Sequence, residues 1–193
     1  MRKSIKGRSS SFNTPNRFEK MHLEPLEIDL EYSDDAPPLP THFYHDTSKS
    51  ILARNYSPDL PFTYSLNPYR GCEHGCIYCY ARPSHEYLGF SAGLDFESKI
   101  LVKRDAPQLL EKALQRKNWL PQTIALSGNT DCYQPAEHQL QITRKCLEVF
   151  LKFRNPVSLI TKNALVLRDL DILKEMRKLN LIQVMISITS LDP

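Results

Sequence analysis

The stretch QTIALSGNTDCYQPAEHQLQITRKCLEVFLKFRNPVSLITKN, residues 122–163, decides the fold. It opens on the aliphatic run Ile124-Ala125-Leu126 and stops at Gly128-Asn129, as a buried strand ending in a turn does. Residues 135–155 then carry Ile142, Cys146, Val149, Phe150 and Phe153 at helical spacing, which predicts one long helix. PVSLITKN (156–163) is a second strand-like run. Strand, helix and strand on short links argue for a parallel βα unit with a right-handed crossover.

The same alternation extends both ways. Downstream, LVLRDLDILKEMRKLN predicts a helix with Leu170, Leu173 and Met176 inward, and LIQVMISITS a last strand. Upstream, Asp105 and Pro107 start a helix with Leu109, Leu110, Ala113 and Leu114 on one face. KILVK (99–103) is a short strand, and FTYSLNPYRGC a strand running into a loop. This is an α/β chain of about four βα units. A closed barrel of the TIM type takes eight in ~250 residues. The expected fold is therefore a partial (βα) barrel over residues 61–193, truncated after about four units, and the chain reads as the first part of a longer protein.

Residues 1–60 have a different texture. The first twenty carry six Lys/Arg against Glu19 alone, followed by the acidic EIDLEYSDDAPPLP, which reads as an extended or disordered arm. The balance of 41% hydrophobic and 24% charged residues is that of a globular protein, and a net charge of +3 does not by itself imply nucleic acid. No apolar run approaches the ~18 residues of a membrane span, and MRKSIKGRSSSFN lacks the apolar core of a secretion signal. The expected location is cytoplasmic, where five cysteines serve more often as ligands or reactive groups than as staples.

Three of those cysteines sit in GCEHGCIYCYARP (71–83), spaced C-x3-C-x2-C at Cys72, Cys76 and Cys79. Three thiolates are one too few for a closed tetrahedral site. They suit a cubane iron–sulfur cluster in which three irons are held by protein and the fourth stays open to a ligand. The competing reading is zinc, with His74, His85 or Cys132 as fourth ligand. In parallel α/β folds functional groups gather at the C-terminal ends of strands. Those ends carry the cysteine loop, SGNTDCYQPAE (127–137), Thr161-Lys162-Asn163 and SITS. In the last strand Ser187 and Thr189 share a face with Gln183 and Met185 and should point inward, while Val184, Ile186 and Ile188 meet the helices.

C-x3-C-x-aromatic-C directly after a first strand resembles the radical S-adenosylmethionine (radical SAM) enzymes. NPYRGCEHGCIYCYARPSH with TDCYQPAE and ITKN...LRD resembles, more narrowly, their spore photoproduct lyase-like subgroup. The resemblance implies a [4Fe–4S] cluster on Cys72, Cys76 and Cys79, with S-adenosylmethionine (SAM) chelating the fourth iron. Tyr78 would contact the adenine. Ser127, Gly128, Asn129, Thr130 and Asp131 would sit where the methionine amine binds, although the usual Gly-Gly-Glu is absent there. Ser187 and Thr189 would approach the ribose or carboxylate, and Lys162, at its strand end, could bind a carboxylate or phosphate. Tyr80 would serve as a radical relay and Cys132 as a hydrogen donor. The resemblance also implies a flavodoxin or ferredoxin as electron donor, no membrane, and a substrate among DNA lesions, RNA or peptides.

Each role has a plainer counterpart. Tyr78 and Tyr80 can pack at the mouth, Thr130 and Asp131 can cap a helix, Lys162 can be a solvated rim lysine, and Cys132 can be a packed core residue. Cys146 is expected in the core. Arg70, Arg82 and Lys103 are expected to make the mouth positive. A non-catalytic, zinc-dependent nucleic-acid-binding module is the alternative for the whole chain.

Overall fold

The computed structural model describes residues 7–18 and 39–190. In chain order the strands are β1 (His42–His45), β2 (Leu52–Arg54), β3 (Tyr64–Leu66), β4 (Tyr69–Arg70), β5 (Lys99–Val102), β6 (Ile124–Leu126), β7 (Val157–Thr161) and β8 (Ile182–Ile186). The helices are α1 (Leu94–Ser98), α2 (Ala106–Leu114), α3 (Glu137–Leu140), α4 (Ile142–Lys152) and α5 (Leu170–Lys178), with tighter 3-10 turns at Arg82–Leu88 and Ala164–Asp169. The chain divides into two compact units. One comprises Met1–Tyr44 and Gly71–Leu101, the other His45–Arg70 and Val102–Pro193.

The second unit carries the βα pattern. Its sheet runs β2-β3-β6-β7-β8. The last four strands are parallel and in register through Tyr64, Ile124, Val157 and Ile182. β2 adds antiparallel to β3. Helix α2 packs on α4 and α4 on α5, which buries Leu110, Leu147, Phe150 and Met176 with Leu66, Ile124, Leu126 and Leu159 of the sheet. The hydrophobic effect over this layer is the main stabilising term.

The fold class is therefore mixed α/β. Among the described residues the sheet does not close into a barrel, because four parallel strands fall short of the circumference that closure needs. The expected single helix over 135–155 is two helices. The chain breaks at Gln141, which takes left-handed backbone at φ 52°. The cause is Glu137, whose carboxylate accepts from the amides of Ile142 and Thr143 at 3.0 Å each and caps α4 from the preceding turn. Leu170 is 42% exposed rather than inward, because the 3-10 turn delays α5 and its apolar face falls instead on Ile172, Leu173 and Met176.

β8 differs too. Val184, Met185 and Ile186 are all exposed, so the expected division into an aliphatic buried face and a polar inward face is absent. Ser187 and Thr189 lie beyond its end and are also exposed. Among the described residues β8 pairs with β7 alone. A bare apolar edge is a template for association. Ile186→Lys is expected to raise the monomeric fraction of the soluble chain, read by analytical ultracentrifugation. An unchanged distribution would show that β8 is not the sticky edge.

In the first unit, residues 7–18 run through bends and a turn without regular elements, and residues 42–45 form β1. Asn16 is buried and donates to the carbonyls of Glu86 and Phe90, and Arg17 pairs with Glu86. Phe96, His85 and Ile100 form the interior of this unit. The basic stretch before Gly7 and the acidic stretch around residues 27–38 lie outside the described residues.

Candidate active site

The cysteine loop is a chain of tight turns. The carbonyls of Cys72, Cys76 and Cys79 accept from the amides of Gly75, Cys79 and Arg82 at 3.1, 3.2 and 3.3 Å, while the Cys72 amide donates to Phe96 at 2.9 Å. Gly71 and Gly75 take positive φ, 80° and 61°, and let the chain reverse on both sides of Cys72. Cys72 packs with Ala81 and Phe96, and Cys79 lies against that cluster. All five cysteines are thiols rather than disulfides. Tyr78 and Tyr80 are 66% and 75% exposed, so neither is a packed residue of this loop.

Arg82 holds the loop from inside. It was expected as a positive charge at the mouth, but it is only 9% exposed. Its Nε donates to Cys76 O at 2.9 Å. Nη1 donates to Ala92 O and Gly93 O at 3.1 and 2.9 Å. Nη2 donates to Gly75 O at 2.6 Å and to Glu97 at 3.0 Å. All five guanidinium N–H groups are thereby used. His85, a candidate zinc ligand, is buried with Nε2 at 3.0 Å from Lys99 O, and burial pushes its pKa down.

The other predicted residues belong to the second unit, at the ends of β3, β6 and β7. Ser127 follows β6 with φ 77°, a conformation non-glycine residues rarely adopt. Its hydroxyl donates to Thr130 O at 2.7 Å and accepts from the Cys132 amide at 3.1 Å, closing the turn on itself. Asn67, which the sequence reading missed, anchors this turn by accepting from the amides of Asn129 and Thr130 at 2.8 and 3.4 Å. Thr130 Oγ1 donates to Tyr69 O at 2.8 Å. Gly128 has space for a Cβ, so its lack of a side chain is not sterically required.

Asp131 is not a helix cap. Its Oδ1 accepts from Thr161 Oγ1 at 2.7 Å and from the Tyr133 amide at 2.9 Å, and its Oδ2 from the Lys162 amide at 2.9 Å. It ties the end of β6 to the end of β7. Cys132 is fully buried, and its thiol pKa is pushed well up by that burial and by Asp131. At this position Cys132 packs inside the second unit. Cys146 is in the core as expected. Arg70 pairs with Asp46 at 2.9 Å, and Lys103 is half-buried. Of the three charges expected at the mouth, Arg82 is the one engaged inside the fold, while the Arg70 side chain stays 41% exposed beside Asp46.

The Radical SAM superfamily pattern matches residues 66–193. This chain belongs to the radical SAM superfamily. The match begins at the last residue of β3 and takes in the cysteine loop and every later strand. The radical SAM chain is 40% identical over 170 residues to an uncharacterized protein of Mycobacterium tuberculosis, covering 86% of this chain and 49% of that relative. It is 34% identical over 113 residues to an uncharacterized protein of Methanocaldococcus jannaschii, covering 58% and 40%. A protein of Acidianus two-tailed virus, also uncharacterized, is 30% identical over 139 residues, covering 67% and 44%. The chain thus spans about half the length of the curated relatives it matches. None of these names supports the narrower lyase-like subgroup, and no solved structure matches the chain. No described helix is long and apolar enough to cross a membrane.

The donor set fits the cluster that this superfamily typically carries. Three thiols lie on successive turns of one loop, with their carbonyls already engaged in those turns. Among the described residues no three His, Cys, Asp or Glu side chains converge on a single ion. A cubane takes each thiolate at a separate corner and does not require convergence on one point.

Proposed function

We propose that this chain is the cluster-bearing part of a radical SAM enzyme, in which Cys72, Cys76 and Cys79 hold a [4Fe–4S] cluster whose fourth iron takes SAM. The observation that carries this reading is the chained-turn loop within the superfamily match. When bound, cluster and cofactor supply reductive cleavage of the sulfonium C–S bond and a carbon radical for hydrogen abstraction. The chain's own residues position and shield. Exposed Tyr78 is proposed to cover the adenine, the Ser127–Asp131 turn to offer groups to the methionine end, and Lys162, Ser187 and Thr189, which follow β7 and β8 in the chain, to serve the carboxylate or ribose. Tyr80, exposed beside Cys79, is proposed as the relay.

The finer reading adds a (βα) barrel of which β3, β6, β7 and β8 are the first parallel strands, a cytoplasmic location and a flavodoxin- or ferredoxin-type electron donor. A lyase-like repair of nucleic acid is supported by the motif resemblance alone, since Arg82 is engaged internally and Arg70 pairs with Asp46. RNA or peptide modification uses the same core.

The test is metal content. Anaerobically purified chain is expected to be brown, with about four irons and four sulfides. Cys72→Ala, Cys76→Ala or Cys79→Ala should abolish both, and Cys146→Ala should not. Stoichiometric zinc without iron would establish the zinc-module reading instead.

A further inference from the structure

We infer that the N-terminal segment Gly7–Ser10 is a clasp that positions the cysteine loop, acting through Glu97 and two arginines. Glu97 is fully buried on α1. Three successive backbone amides close around its carboxylate. Arg8 N and Ser10 N donate to Oε1 at 3.0 and 3.3 Å, and Ser9 N donates to Oε2 at 3.3 Å. Successive amides arranged this way form a nest for an anion. The fourth donor is Arg82 Nη2, at 3.0 Å.

From this carboxylate two arms reach the loop. Arg82 runs from Glu97 to the carbonyls of Gly75 and Cys76. Arg8 donates to Glu97 O and to Thr41 Oγ1 at 2.8 Å, and lies 3.5 Å from Glu73 Oε1, which also accepts from Thr41 at 3.0 Å. Glu73 and Gly75 both lie between Cys72 and Cys76. The peptide path between the first two thiols is thus fixed at two points by groups that meet on Glu97. Buried charge-assisted hydrogen bonds of this kind are strong and costly to leave half-made. Arg8, Arg82 and Glu97 are therefore positioning residues: they fix where the thiols stand, and touch neither cofactor nor substrate in the proposed site.

The inference rests on the cluster reading only for its purpose; the clasp itself is measurable in metal-free chain. The probe is a maleimide reagent, with each cysteine's modification rate read by mass spectrometry. Cys132 and Cys146, both fully buried, report on the rest of the fold. Glu97→Gln puts an amide N–H against N–H donors, and Arg82→Lys keeps the charge but loses the fork. Each is expected to raise the rate at buried Cys72 by about tenfold, as local opening does, with Cys132 and Cys146 unchanged. Arg17→Ala, outside the Gly7–Ser10 segment and paired with Glu86, should change nothing at Cys72. In anaerobically reconstituted protein, the clasp variants should broaden the electron paramagnetic resonance signal of the reduced cluster. An unchanged Cys72 rate in both clasp variants overturns the inference. So does an equal rise at all five cysteines, because the contacts would then hold the whole fold and not the loop. Parent protein that protects Cys72 but takes up no iron would sink the cluster reading and leave the clasp standing.

Discussion

Glu137→Ala is expected to unfold the unit that carries the parallel sheet. Glu137 is fully buried and joins three elements to its own helix α3. Its carboxylate accepts from the Tyr69 hydroxyl, from the Ile142, Thr143 and Arg144 amides at 3.0, 3.0 and 3.4 Å, and from Arg168 Nη2 at 2.9 Å. Burial and the adjacent Glu137 push the Tyr69 phenol pKa far up, so it stays a neutral donor. Removing the carboxylate strands a buried hydroxyl, uncaps α4 and leaves Arg168 with Asp169 as its remaining side-chain partner. Breaking one partner of a buried ionic network costs about 3–5 kcal/mol, a large share of a domain's stability. Urea denaturation followed by far-UV circular dichroism measures it. Glu137→Gln, which keeps an acceptor oxygen, should fall between the parent and Glu137→Ala. A loss below about 1 kcal/mol in Glu137→Ala would show that water replaces the carboxylate at little cost.

Gly75→Ala is expected to remove the cluster while sparing the fold. Two effects coincide there. The residue has φ 61°, and a Cβ would stand 2.5 Å from Glu97 Oε2 and 2.7 Å from Arg8 Cβ. The left-handed conformation alone costs a side chain roughly 1 kcal/mol. The clash must in addition displace the carboxylate on which Arg8 and Arg82 meet. Gly89→Ala separates the two terms, because Gly89 has φ 77° and nothing within 4 Å of the added carbon. Iron content after reconstitution should drop at least about tenfold in Gly75→Ala and stay near parental in Gly89→Ala, with similar circular dichroism for both. Equal iron in the two variants would mean that the loop tolerates a shifted Glu97.

What was legible in the sequence follows the range of the forces involved. β3, β6 and β7 and the helices α2, α4 and α5 could be read because burial repeats over a few residues, as with Ile142, Cys146, Val149 and Phe150, whereas β8 could be read from its aliphatic run although its residues are exposed. The break at Gln141 could not. Glutamine is a sound helix former, and the break is set by a carboxylate folded back from Glu137. The cysteine spacing announced a ligand loop, but the arginine inside it looked like surface charge. Only its five bonds, one of them to a residue fifteen positions on, identify Arg82 as internal scaffolding. Asp131 was seen as a site residue or a helix cap, and its tie to Thr161 and Lys162 needed the parallel pairing of β6 and β7 to become visible.

The clasp also sets an order of events during synthesis. The amide of Arg8 and the carboxylate it meets are 89 positions apart, and the unit they close is discontinuous in the chain. Closing so long a loop carries an entropic cost that the contact recovers only once Glu97 has left the ribosome. At roughly 5–20 residues per second, Cys72 is translated one to several seconds before Glu97. For that interval the three thiols are present on a nascent chain whose clasp cannot yet close. Their exposure to a metal donor or an oxidant is then governed by translation speed rather than by the finished fold.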